Sequence, residues 1–169
     1  MWKKSKKMAI NAVMTAAVIV MMYLASVLPT GRMGYLGVAS VFGVAAVIES
    51  GISGGIMVYL ASSLLGLIIV PAKEIVLLYA LFFGYYPVLK SFAERRKSPV
   101  LGWIIKLGVM NIALTILIFA FETLFFSVSG LDFAIPATYA IVNAVFILFD
   151  IGVSGVISFY ITRIHRKII

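Results

Sequence analysis

The chain alternates between long apolar runs and short polar breaks. Pro29, Gly31, Glu49, Gly51 and Pro71 mark the first breaks, where proline and glycine typically end helices. At ~1.5 Å rise per residue, about 20 apolar residues cross the ~30 Å hydrocarbon core of a bilayer. The pattern therefore predicts an all-α, polytopic membrane protein with six transmembrane helices. The predicted helices cover residues 8–28, 35–48, 52–70, 75–89, 100–128 and 134–164.

Composition and charge agree with this class. The 169 residues are 63% hydrophobic and 12% charged, and the mean hydropathy of +1.16 exceeds that of soluble domains. In a soluble chain the net charge of +8 would suggest nucleic acid. Here the basic residues cluster at helix ends, where they meet anionic lipid. We expect a lipid bilayer and no nucleic acid as partner, and a single domain.

The distribution of lysine and arginine predicts the orientation. Six helices place the three basic clusters on the cytoplasmic side of a bacterial plasma membrane, with both termini inside. Fusing helices 2 and 3 would divide the clusters between the two sides. Helix 2 is short, so a re-entrant pair of helices 2 and 3 remains an alternative. The clusters are Lys3, Lys4, Lys6 and Lys7; Lys90, Arg95, Arg96 and Lys97; and Arg163, Arg166 and Lys167.

Helix 6 carries polar residues on one side. Tyr139, Asn143, Asp150 and Ser154 fall within roughly 60° of one another at ~100° per residue. An ionised carboxylate in mid-membrane costs roughly 2.5–3.5 kcal/mol by insertion measurements, so Asp150 should face protein or water and have a partner.

Helix 5 has a matching stripe of Asn111, Thr115 and Glu122, which fall within roughly 40°. Consecutive membrane helices are antiparallel, so depth pairs Asn111 with Asp150. The same count places Glu122 beside the amino-terminal polar residues of helix 6. These stripes predict a ligand pocket that opens outward and has Asp150 at its floor. Hydrogen bonding that only holds the helices together is the alternative.

Lys106 also lies in helix 5, ~140° from the Asn111 stripe by the same count. We expect its side chain to reach the inner headgroups, with pairing to Asp150 as the alternative. In the outer connections, Arg32 lies between Gly31 and Gly34, which permit a loop that folds over a site. Arg32 and Glu74 are candidate ligand residues, and solvated loop charges are the alternative.

Small residues mark helix 1. Ala12 and Ala16 are four residues apart, a spacing that lets two membrane helices approach closely. Their position beside the basic amino terminus puts them in the inner half of the bilayer. The face either packs internally or docks a partner.

Motifs for catalysis are missing from the sequence. His165 is the one histidine, it lies among basic residues, and there is no cysteine. No glycine-rich phosphate loop with its lysine occurs, so energy from ATP would have to come from another chain. We expect neither an enzyme nor a cofactor or metal site.

The six-helix layout with both ends inside, the alanines of helix 1 and the pocket near helices 4 to 6 resemble the substrate-binding S component of an energy-coupling factor (ECF) transporter. The resemblance covers the whole chain in layout, and Ala12-x-x-x-Ala16 is its motif. It implies uptake of a vitamin or other micronutrient. It also implies that Ala12 and Ala16 contact a transmembrane coupling subunit that works with ATPase subunits, and that the loop at residues 29–34, with Arg32, closes over a small-molecule substrate.

Two other classes stay open. A non-transport scaffold, similar to the small membrane subunits of bacterial cell-shape machinery, would use its polar residues for packing and docking. A proton-coupled carrier acting alone would use Asp150 and Glu122 as a relay. The absence of an internal repeat disfavours the carrier, because rocking halves are commonly built from repeats.

The orientation is testable by labelling. Cysteines introduced at Ser98 and Ile169 should be shielded from an impermeant thiol reagent in intact cells, because both positions adjoin cytoplasmic basic clusters. A cysteine at Ser129 should be labelled. Labelling at Ser98 would contradict the six-helix orientation.

Overall fold

A computed structural model describes residues 2–95, 98–125 and 134–165 of the chain. The regular structure in these ranges is entirely helical. Six helices there are long and apolar enough to cross a membrane, which agrees with the predicted number of spans, and the all-helical class is confirmed. These candidate spans are Lys4–Val27, Arg32–Ser50, Ile52–Ile69, Lys73–Glu94, Val100–Phe119 and Pro136–Arg163.

The chain divides into two compact units, Met1–Arg95 and Arg96–Ile169, and each is described by itself. The single domain stays a prediction. Two short π-helical segments, Tyr79–Phe83 and Ile161–His165, supplement the α-helices. The α-helices are α1 Trp2–Val27, α2 Arg32–Ser50, α3 Ile52–Ile69, α4 Lys73–Leu78, α5 Tyr86–Glu94, α6 Pro99–Phe125 and α7 Ala134–Tyr160.

The core of the first unit forms where α1 packs against α2 and α3. Val18, Met22 and Ala25 follow the i, i+4, i+7 spacing of one helix face, and all three are fully buried. They belong to one hydrophobic cluster with Leu36 of α2 and Val58 of α3. The periodic apolar face of α1 therefore holds the three helices together.

Tight glycine turns connect these helices. Gly31 and Gly51 have φ values of 75° and 86°, in the left-handed region that favours glycine. The amide of Gly51 bonds the Val47 carbonyl at 2.9 Å, and α3 begins at the next residue. A single residue thus reverses the chain between α2 and α3.

α2 is longer than predicted. It begins at Arg32, because the Tyr35 amide bonds the Gly31 carbonyl at 3.1 Å and closes the first turn. With 19 residues in α2 and 18 in α3, both helices are long enough to cross a membrane. Helix length therefore no longer favours a re-entrant pair.

The region of predicted helix 4 also differs from prediction. It is interrupted near Gly84, and α5 continues to Glu94 through residues we expected in a polar connection. The Lys90 side chain is 2% exposed, and its Nζ lies 2.6 Å from Oε1 of Glu94, one turn later. The predicted end of helix 4 at residue 89 was therefore wrong, since Lys90 is helical and buried and its ammonium is paired with Glu94.

Gly55 allows three helices to meet. A Cβ at this position would collide with Val47 of α2 and lie 3.1 Å from Cγ2 of Val88 in α5. Both neighbours are β-branched and have little rotamer freedom to move aside. α3 can therefore pack this closely only with glycine at position 55.

Gly55→Ala should destabilise the protein by about 1–3 kcal/mol, the usual cost of overpacking. Gly108→Ala is the matched control, because nothing lies within 4 Å of a Cβ there and alanine favours a helix. Unfolding of both variants in a denaturing detergent titration measures the difference. Equal stability of the two variants would contradict the close packing.

Candidate functional site

Among the residues that the structure describes, three side-chain pairs connect α6 and α7. They join Lys106 to Asp150, Asn111 to Asn143, and Thr115 to Tyr139. Residue numbers rise along α6 as they fall along α7, so the two helices are antiparallel, as predicted. We call these six residues the polar ladder.

The first rung is a buried ion pair. Nζ of Lys106 lies 3.0 and 2.9 Å from the two carboxylate oxygens of Asp150, and each side chain is 4% exposed. The ammonium also lies 4.2 Å from the ring centroid of Trp103, where the negative face of the ring attracts it. Ser154 donates to the main-chain carbonyl of Asp150 at 2.8 Å. The charge of Asp150 is therefore compensated inside the protein.

This pairing corrects the prediction for Lys106. We expected its side chain to reach lipid headgroups because its Cα lies well off the Asn111 stripe. Angular counting describes the backbone, whereas four methylene groups let the lysine ammonium reach back to the neighbouring helix. The alternative, pairing with Asp150, is the one the structure contains.

The second rung is a reciprocal amide pair. Asn111 donates to Oδ1 of Asn143 at 3.0 Å, and Asn143 donates to Oδ1 of Asn111 at 2.9 Å. Each amide also donates at 2.8 Å to a carbonyl one turn earlier in its own helix, Leu107 or Tyr139. The predicted pairing of Asn111 with Asp150 was wrong, because Asp150 lies about two turns further along α7.

The third rung joins two hydroxyl groups, 2.7 Å apart. The Thr115 hydroxyl donates to the Asn111 carbonyl at 2.8 Å, and a hydroxyl has one hydrogen to donate. Tyr139 is therefore the donor to Thr115. Thr115 is exposed and the asparagines are half-buried, so exposure increases along the ladder away from the ion pair.

Three predicted ligand residues are not among the six that define the ladder. The side chain of Glu122 lies outside the described residues. Arg32 and Glu74 belong to the first unit, and both are exposed. Arg32 is the first residue of α2, so the expectation that it lies in a flexible lid loop was wrong. Glu74 lies in the first turn of α4, where its negative charge interacts favourably with the positive end of the helix dipole. A ligand role for these three residues stays a prediction.

The alanines of α1 point away from the core of the first unit. Ala12 and Ala16 are exposed, whereas Asn11, Thr15 and Val18 of the same helix are buried. Internal packing would require other parts of the chain to cover this face, whereas a docking face has to be exposed. The exposure of Ala12 and Ala16 therefore favours docking over internal packing.

Sequence reasoning gave the observed partner of Asp150, Lys106, only as the alternative. Two opposite charges in the middle of consecutive apolar helices were the signal, because intramembrane charges generally pair with each other. Within the described ranges, no group of three or more histidine, cysteine, aspartate or glutamate residues could hold a metal ion. The ladder thus offers one compensated ion pair together with amide and hydroxyl groups.

Comparison of the chain with models of protein families, with curated proteins and with solved structures finds no match. The resemblance to S components therefore depends on helix layout and alanine spacing. Function has to be argued from the ladder and from the exposed face of α1.

Asp150→Asn should destabilise the protein by roughly 3–5 kcal/mol, because it leaves the Lys106 ammonium buried without its counter-charge. The double variant Lys106→Met with Asp150→Leu is the control, since it removes both charges and should recover most of the loss. Denaturant or thermal unfolding of the purified proteins measures both. An Asp150→Asn variant as stable as the wild type would contradict a stabilising role for the pair.

Proposed function

We propose that this protein is the membrane-embedded substrate-capture subunit of an ECF-type uptake transporter. Its six helices cross the bacterial plasma membrane with both termini in the cytoplasm. It binds a small vitamin-like molecule and docks through α1 to a transmembrane coupling subunit, which is energised by ATPase subunits. The exposed small-residue face of α1 is the observation that carries this proposal.

The exposed face of α1 suits a helical membrane partner. Ala9, Ala12 and Ala16 are exposed on it, and Val13 and Val20 extend it with apolar side chains that are 65% and 53% exposed. Small side chains let two helix backbones approach within van der Waals contact, which drives association where lipid supplies no hydrophobic gain. A smooth apolar strip of this kind fits another transmembrane helix better than it fits a polar protein.

The polar ladder indicates the chemistry of the captured ligand. Lys106 compensates Asp150, so a cationic ligand group would have to compete with a built-in ammonium at 2.9 Å. The amide and hydroxyl hydrogens of Asn111, Asn143, Thr115 and Tyr139 are already donated within α6 and α7, so the remaining capacity lies in the lone pairs of their side-chain oxygens. These oxygens favour a ligand that donates hydrogen bonds from uncharged polar groups.

A scaffold subunit of the cell-shape type is the second candidate. One observation favours it: the six side chains of the ladder are hydrogen-bonded or ion-paired with one another. Such pairing is what helix packing alone would require. In that case the face of α1 docks a cell-wall factor.

Affinity purification of the tagged protein from its native membranes tests the proposal. Wild-type protein should retain a coupling subunit and an ATPase, and Ala12→Trp or Ala16→Trp should reduce their recovery by about tenfold or more, since a bulky ring separates the helices. Ala144→Trp is the matched control, because Ala144 is an exposed alanine of α7.

The identity of the retained partner distinguishes the candidates. Recovery of an ATPase that is lost with the α1 variants supports the transporter subunit. Recovery of cell-wall enzymes instead would support the scaffold and overturn the transporter. Unchanged recovery with both alanine variants would show that α1 is not the docking face.

A further inference from the structure

The fourth candidate span, Lys73–Glu94, is interrupted at its middle. After α4 the chain forms the π-helical turn Tyr79–Phe83, closed by a 2.7 Å bond from the Gly84 amide to the Tyr79 carbonyl. α5 begins again at Tyr86. Such π-helical turns and broken membrane helices concentrate at functional sites, because they release main-chain groups from the helix.

Pro87 explains the interruption. It has no amide hydrogen, so it cannot donate to a carbonyl of the preceding turn. The next amide, that of Val88, bonds the Tyr85 carbonyl at 3.1 Å and not the Gly84 carbonyl that it would reach in a continuous helix. The broken turn therefore has more main-chain carbonyl acceptors than main-chain amides that can donate to them. One of them, on Ala80, is bonded by the Tyr59 hydroxyl at 3.2 Å.

A second polar group lies deep in the same unit. The side chain of Ser40 in α2 is fully buried, with 1% exposure. Its hydroxyl has no hydrogen-bond partner among the residues that the structure describes. Burying a hydroxyl without a partner is unfavourable, so a bound species that completes its bonding would stabilise the folded protein.

Packing between α2 and α5 places Ser40 at the interruption. A Cβ on Gly43 would lie 2.9 Å from Cγ of Pro87, so these two residues are in contact. α2 and the fourth span run in the same direction, since α3 reverses the chain between them. Ser40 precedes Gly43 by three residues, and Gly84 precedes Pro87 by three. Ser40 therefore lies level with Gly84, about one turn from the contact and on the buried side of α2.

The chemistry of these groups indicates a cation. Carbonyl and hydroxyl oxygens are hard, neutral ligands that replace the hydration shell of alkali ions. Because neither group carries a formal charge, a monovalent ion suits them better than a divalent one, which usually takes carboxylates.

We propose that Ser40 and the interrupted turn at Gly84 form a Na⁺-binding site, with the Ser40 hydroxyl and main-chain carbonyls, that of Gly84 first, as ligands. The site lies within the first unit and does not depend on the docking face of α1 or on the polar ladder. It would make the stability of the first unit depend on Na⁺.

Thermal unfolding of the detergent-purified protein, without added ligand, tests this site. Titration with NaCl against choline chloride at constant ionic strength should raise the Tm in a saturable way, because an ion that binds only the folded state stabilises it. KCl should raise the Tm less at equal concentration. A Tm that responds equally to NaCl and choline chloride would overturn the proposal and leave an ordered water as the partner of Ser40.

Ser40→Ala should increase the Na⁺ concentration for half-maximal stabilisation by about tenfold or more. Ser53→Ala is the matched control, since Ser53 is an exposed serine of α3, and its titration should match the wild type. Binding of radioactive Na⁺ to the same three proteins gives a second measurement that does not depend on unfolding. A Ser40→Ala variant with unchanged Na⁺ response or binding would also overturn the site.

Discussion

Polar groups in an apolar chain must find their partners within the protein, and this constraint shapes both units. In the second unit the strongest case is the Lys106–Asp150 pair, with N–O distances of 3.0 and 2.9 Å and side chains that are 4% exposed. Either charge alone would be costly to bury, whereas together they set the register of α6 against α7. Asn111 with Asn143 and Thr115 with Tyr139 follow in the same register.

The first unit meets the same constraint through its backbone. Gly54 and Gly55 let α3 approach its neighbours so closely that a Cβ at either position would collide with α2. The interruption near Gly84 releases main-chain carbonyls, and the Tyr59 hydroxyl bonds one of them, on Ala80. The Tyr79 and Ser62 hydroxyls pair with each other, 3.0 Å apart. The Ser40 hydroxyl of the same unit has no partner among the described residues.

In the proposed function the exposed alanines of α1 would contact another helix, and the ladder, whose exposure increases toward Thr115, would contribute amides and hydroxyls to a ligand site. A capture subunit needs both a ligand site and a docking face. A scaffold needs the docking face alone, with the ladder as internal support.

The sequence by itself determined the class of this protein. Six helices were predicted from long apolar runs that end at prolines and glycines. A face for close helix approach was predicted from the four-residue spacing of Ala12 and Ala16. Both predictions were possible because helix formation and residue spacing along one helix are local properties. It also predicted that polar residues of the last two helices meet. Tertiary structure decided which ones pair: Lys106 and not Asn111 reaches Asp150, since the pairing depends on side-chain reach and axial register. The burial of Lys90 was also decided there, because it depends on packing that local spacing does not specify. The interruption near Gly84 and the start of α2 at Arg32 instead have local causes, at Pro87 and Gly31, which the sequence analysis did not use.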